Sequence, residues 1–284
     1  MKTRSLARAG ALTMFVLAGV APVQAQDSAL TWTDRAELSV VWTAGNASSK
    51  TLGAKNTLEG TGGRIKFRLE AGGIRTESSI RTRVANGTAG SFAVTETSVS
   101  QTTAESYFTR SRLDYGLSKR TYFFGGAGWD RNTFSGISSR FALVSGAGAQ
   151  WSDTDVFKFR TDIGVTYTIQ DNVADGPIER FGGVRFTWEL LRQVTPNTTL
   201  DSKLIVDENV KNTDDLRGDL VNSLTVAMNQ RMALKTSLQL LFDNDPSFVD
   251  IPLVTGGVPT GGTVAAPLKK LDSIFTVALV INVK

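Results

Sequence analysis

The chain has 284 residues with 31 Lys+Arg against 27 Asp+Glu, and it contains neither cysteine nor histidine. Without cysteine there can be no disulfide, thiolate metal site or thiol catalysis, and without histidine the commonest general base is missing. Three of the bases lie in the first eight residues, and the remainder of the chain is close to neutral, which weighs against a nucleic-acid-binding protein with a basic face.

Chain order begins with a secretory signal. Lys2, Arg4 and Arg8 precede an apolar stretch from Ala9 to Val20, and Val23 and Ala25 stand at positions −3 and −1 of a cut after Ala25. Residues 1–25 are therefore read as a cleaved signal peptide and 26–284 as one domain. The longest apolar runs after the cut, such as Val277 to Ile281, fall far short of the roughly 20 residues of a membrane helix.

The rest of the chain shows period-two alternation, the signature of strands with one apolar face. The first strand spans about 35–45, with Leu38, Val40 and Trp42 on one side; the second spans about 50–60, with Leu52, Ala54 and Leu58. The third, about 63–76, sets Ile65, Phe67, Leu69 and Ala71 against Arg64, Lys66, Arg68 and Glu70. The fourth, about 104–117, sets Leu113 and Tyr115 against Arg110, Arg112 and Asp114. A glycine-rich fifth (121–131, with Phe123 and Trp129) leads to a sixth (139–151, with Phe141, Leu143 and Trp151). In the seventh (156–168), Phe157, Phe159, Ile163, Val165 and Tyr167 oppose Lys158, Arg160 and Asp162. The eighth (178–192) sets Val184, Phe186 and Trp188 against Arg185 and Glu189; the ninth (198–209) sets Leu200 and Leu204 against Asp201 and Lys203. The tenth (217–229), eleventh (231–243, with Lys235 on its polar side) and last (270–283) complete twelve strands.

The connections alternate in length. Links such as Ser118-Lys119-Arg120 and Thr195-Pro196-Asn197 are short, whereas 76–103, 170–177, 210–216 and 244–269 are read as long loops. Short turns on one rim and long loops on the other mark an outer-membrane barrel. Closure rests on physics: hydrocarbon offers backbone groups no hydrogen bonds, so a sheet inside it must have no free edge. The expected fold is an all-β, transmembrane, antiparallel up-and-down barrel with its apolar face on lipid.

On that reading Arg64, Lys66, Arg68, Glu70, Arg110, Arg112, Asp114, Lys158, Arg160, Asp162, Arg185, Glu189, Lys203 and Lys235 line the lumen. A basic wall would favour anionic solutes; alternatively, Arg–carboxylate pairs fill a narrow interior and hold it together. Trp42, Tyr115, Tyr122, Trp129, Trp151, Tyr167 and Trp188 are expected at the two membrane interfaces.

Several stretches resemble the DUF481 family, described as salt-induced outer membrane proteins. They are Ala36-Glu37-Leu38-Ser39-Val40 running into Thr43-Ala44-Gly45-Asn46, Leu113-Asp114-Tyr115-Gly116-Leu117-Ser118, Tyr122-Phe123-Phe124-Gly125-Gly126 and Trp129 through Gly136. The resemblance spans most of the chain after the signal and implies location and fold, with a link to salt or osmotic stress in the name. It implies no substrate. The chain ends Ile281-Asn282-Val283-Lys284, without the aromatic terminus usual in such barrels.

Enzymatic chemistry finds little support. No Gly-x-Ser-x-Gly elbow is present, and the candidate acids Glu70, Asp114, Asp162 and Glu189 have basic neighbours to pair with. Gly125, Gly126 and Gly128 read as strand glycines rather than a phosphate loop. The acidic groups Asp207, Glu208, Asp214 and Asp215, and Asp243, Asp245 and Asp250, read as solvated loops, with divalent-ion binding as the alternative. No cofactor is expected. Membrane lipid, lipopolysaccharide and the barrel-assembly machinery are the expected partners, and nucleic acid is not. Three functions fit to different degrees. The pattern best suits a non-enzymatic outer-membrane barrel for envelope maintenance or passive diffusion. A secreted soluble barrel or sandwich binding a ligand comes second, and a barrel hydrolase third.

Overall fold

Alternation becomes architecture in the computed structural model, which describes residues 30–43, 48–88, 91–174, 176–255 and 258–283. The signal segment lies outside the described residues. Among the described residues, fourteen strands run in chain order. They begin with β1 (Thr31–Thr43), β2 (Ser48–Gly62), β3 (Ile65–Thr88), β4 (Ser91–Gly116), β5 (Thr121–Asn132), β6 (Ile137–Asp153) and β7 (Phe157–Asn172). They continue with β8 (Glu179–Thr195), β9 (Thr198–Asn209), β10 (Leu216–Ala227), β11 (Met232–Asp243), β12 (Phe248–Thr255), β13 (Val258–Pro267) and β14 (Leu271–Val283). A 3-10 turn, Thr133–Ser135, separates β5 from β6.

Twelve of these strands, β1 to β11 and β14, close into one antiparallel barrel in which each strand pairs with its neighbours along the chain. β14 completes the ring by pairing with β11 on one side and β1 on the other. β12 and β13 form a separate two-stranded ribbon inserted between β11 and β14.

Burial in this protein is the reverse of that in a soluble domain. The outward side chains are large and apolar, and Ile163 (62% exposed), Val165, Leu143, Phe123 and Leu238 all face away from the barrel. Many buried side chains are instead polar or charged, among them Asp114, Arg160, Asp162 and Thr187. In water that arrangement would leave the whole outer wall a hydrophobic patch; in a bilayer it is the stable one, because lipid covers the wall and the ring pairs its backbone groups internally. The protein is a transmembrane β-barrel.

Two expectations are corrected. The segment 76–103, read as a long loop, is instead strand: β3 and β4 stay paired from Glu77↔Thr102 out to Thr88↔Ser91, past an irregularity at Thr76/Glu77. Its Val and Thr residues are compatible with extended backbone, and hydroxyl pairs such as Ser79 to Ser100 (2.6 Å) link the two strands. Since about 10 residues suffice to cross the membrane, this hairpin rises well beyond the rim. Likewise the loop 244–269 contains the β12–β13 ribbon.

Candidate functional site

The lumen is where the unusual chemistry lies. A cavity of about 1570 Å³ is lined by residues from both rims, from Lys119 beside the β4–β5 turn to Lys269 beside β14. Among the described residues, seventeen Lys and Arg and thirteen Asp and Glu line it.

Strand parity puts these groups inside; the barrel then brings distant ones together. In the short-turn half of the barrel, Arg68 of β3 donates to Glu59 on the neighbouring β2 (2.6 Å) and to Glu189 on β8 (3.0 Å). Glu189 also takes Arg160 of β7 (2.6 Å) and Lys203 of β9 (3.2 Å). Arg160 reaches Asp114 of β4 (2.9 Å), while Arg112 of β4 reaches Asp162 of β7 (2.6 Å) and Asp114 (2.5 Å). Glu70 pairs with Lys55 (3.1 Å) and lies 3.9 Å from Lys203. Arg110 lies 3.9 Å from Asp219 of β10. Charge-assisted bonds of this kind are the strong ones, and here they tie opposite walls through the interior.

Aromatic rings support the arginines. The Arg112 guanidinium stands 4.0 Å from the Phe124 ring centre, and its Nη2 has no hydrogen-bond partner among the described residues. Arg110 stands 4.9 Å over Phe108. These rings hold the planar cations by cation–π attraction and fix where they point.

Arg185 pairs with Asp207 (2.7 Å) and Lys235 with Glu37 of β1 (2.9 Å). Lys158, at the short-turn rim, lies 3.4 Å from Asp153. Arg64 and Lys66 line the same mouth and make no ion pair within 4 Å among the described residues. Tyr115, Trp129, Trp151, Tyr167 and Trp188 lie on the outer wall, where the indoles of Trp129 and Trp151 donate to Ser139 (3.0 Å) and Thr161 (2.8 Å). Trp42 lies at the end of β1, with its side chain outside the described residues.

Tyr122 is a correction: it is buried inside the lumen, not at an interface, and its hydroxyl donates to Asp162. Its parity matches that of Phe124 and Asp130, so β5 turns it inward. Gly148 makes room for it: a Cβ there would sit 2.5 Å from the Tyr122 hydroxyl. Gly126 faces the Ser111 carbonyl oxygen, which a Cβ would approach to 2.6 Å.

The acidic loop groups disperse. Asp207 belongs to Arg185, Asp215 to Arg217 (2.9 Å), and Asp245 accepts from Asn212 (3.0 Å); the Asp250 side chain lies outside the described residues. No cluster of three or more acids is placed to hold a metal ion among the described residues.

Sequence reasoning misses a second tier towards the long-loop rim. There Arg140 pairs with Asp130 (3.1 Å), and Arg217 donates to Gln170 (3.0 Å) and stands 5.0 Å over Phe181. Arg140 stands in a run of hydroxyl and apolar residues and Arg217 at the end of an expected loop, so neither shows the charge alternation that marks β3.

Comparison with known proteins gives a family and a set of barrels. The family model described as "Protein of unknown function, DUF481" matches residues 36–250. Among solved structures, the NanC porin is 10% identical, with 88% of this chain and 98% of that chain covered and a TM-score of 0.43. An anion-selective porin from Comamonas acidovorans is 11% identical, with 89% and 100% covered and a TM-score of 0.38. The outer membrane channel DcaP of Acinetobacter baumannii is 8% identical, with 90% and 96% covered and a TM-score of 0.35. No curated protein matches the chain.

Proposed function

This chain belongs to the DUF481 family of proteins of unknown function, and we propose that it is a non-enzymatic outer-membrane barrel for slow passive diffusion of small polar solutes, anions preferred. The observation that carries this reading is a cavity lined from rim to rim, with an excess of bases, crossed by ion pairs that narrow it. Rings of fixed charge select solutes by sign, and a constricted bore limits them by size. Arg64 and Lys66, without ion pairs among the described residues at the short-turn mouth, attract anions there. Short turns face the periplasm on this reading, and residues 1–25 direct export. Lipopolysaccharide covers the outer leaflet, and the barrel-assembly machinery inserts the chain.

Planar-bilayer recording of the refolded protein tests this. The expected result is a small single-channel conductance whose reversal potential in a KCl gradient shifts towards chloride. A silent membrane would leave the ion-paired lumen with a purely structural role in the envelope, and a shift towards potassium would overturn the anion preference.

A further inference from the structure

The ring of strands is not equally closed all the way round. Each strand pair between β2 and β11 keeps at least ten residues in register, and β11 and β14 keep eleven. At the closing seam, β1 and β14 share five: Asp34↔Val283 through Leu38↔Leu279. Above Leu38 both strands continue. β1 runs to Thr43 and stays paired with β2 to its end, and β14 begins at Leu271 and stays paired with β11 up to Ile281. Residues 39–43 and 271–278 are thus ordered strand on one side and, among the described residues, lack a strand partner on the other.

That slit lies in the apolar belt. Its outer lips carry Val40 and Phe275, both 66% exposed, together with Val277. Its inner lips carry small side chains, Ser39 and Ala278, with Gly53 and Ser237 beside them. At its lower end Lys235 of β11, level with Ala278, reaches past β14 to Glu37 of β1 at 2.9 Å, and further down Arg35 donates to Asn282 at 3.4 Å. The seam is latched below and open above.

Backbone groups at membrane depth need a polar partner. Where no strand supplies one, water from the lumen or a polar headgroup must. The slit therefore offers an apolar outside for a chain and a polar, net basic inside for a head. We infer that the upper β1–β14 seam is a lateral portal, through which a single-chain amphiphile with an anionic head passes between the lumen and the leaflet on the long-loop side, its tail trailing between Val40 and Val277. This goes beyond rim-to-rim diffusion and does not need it.

The absence of cysteine makes the test direct. In nanodiscs, the full chain carrying Leu38→Cys and Leu279→Cys is compared with one carrying Val40→Cys and Val277→Cys, and a doxyl-labelled fatty acid is the probe. The lower pair is expected to oxidise directly to a disulfide, whereas the upper pair is expected to be joined only by a longer bifunctional thiol reagent. The cysteine-free protein is expected to give an immobilised spin-label signal, which bridging the upper pair removes and bridging the lower pair leaves. Direct oxidation of the upper pair as fast as the lower would overturn the portal. So would an immobilised signal that is absent from the start or survives upper bridging. Conductance between the rims is measured separately, so the two readings can fail independently.

Discussion

Arg68 and Glu189 meet at 3.0 Å although 121 residues separate them and five strand steps lie between β3 and β8 around the wall. In a ring of twelve, that is nearly a diameter. One arginine therefore bridges most of the bore at this height. Replacing Arg68 by Ala is expected to raise single-channel conductance, while Arg68→Lys, which keeps the charge but loses the two-ended fork, should fall between. Glu189 would still have Arg160 and Lys203, and Glu59, which loses its pair, is about a third exposed and can turn to water, so the stability loss should stay below the about 3–5 kcal/mol of a stranded buried charge. Urea unfolding from lipid vesicles measures that loss.

Selectivity should track the bases that line the mouth. Arg64→Glu with Lys119→Glu would change the lining from seventeen bases and thirteen acids to fifteen of each. The reversal potential in a salt gradient is then expected to lose its preference for chloride. Arg112 is a poor choice for the same purpose, because it sits between Asp114 and Asp162 and an acid there would disrupt the wall itself.

Lipid contact can be tested at one residue. Ile163 is 62% exposed. On a soluble protein an exposed Ile→Arg change is close to neutral; on a lipid-facing strand near mid-bilayer it costs roughly 2–4 kcal/mol. Ile163→Arg is therefore expected to lower unfolding free energy by that order in vesicles. A neutral result would remove the lipid from this face.

The Tyr122–Gly148 contact makes a paired prediction. Gly148→Leu would drive a side chain into the Tyr122 ring, and overpacking of this kind costs about 1–3 kcal/mol. Tyr122→Ala in the same chain removes the ring but leaves the Asp162 carboxylate, which a Cβ at 148 also meets; it should recover only part of that loss, less the hydrogen bond to Asp162, itself worth about 1.5–3 kcal/mol where the acceptor is charged. A double-mutant cycle on thermal unfolding reads the coupling.

Strand positions are legible in the sequence because lipid on one side and water on the other force a two-residue period onto the chain. The run Arg64 to Ala71 announces β3 and its inner face without ambiguity. Closure is legible for the same reason. What the period cannot give is height: Lys203 and Glu70 lie 3.9 Å apart only because strand stagger lifts β9 and β3 to the same level, and stagger is a property of the closed ring. Tyr122 escapes the pattern because an aromatic near a strand end suits either face, and only the polarity of Asp130, eight residues on and of like parity, marks it as inward. The outer part of the β3–β4 hairpin escapes it because hydroxyl residues suit a loop as well as a strand, and nothing apolar forces the alternation once the chain leaves the bilayer.

The β12–β13 ribbon occupies a telling place in the chain. It falls between β11 and β14, the strand that joins the ring to its own beginning. A chain cut anywhere within the ribbon therefore lacks the stave that meets both β11 and β1, and its cylinder cannot shut.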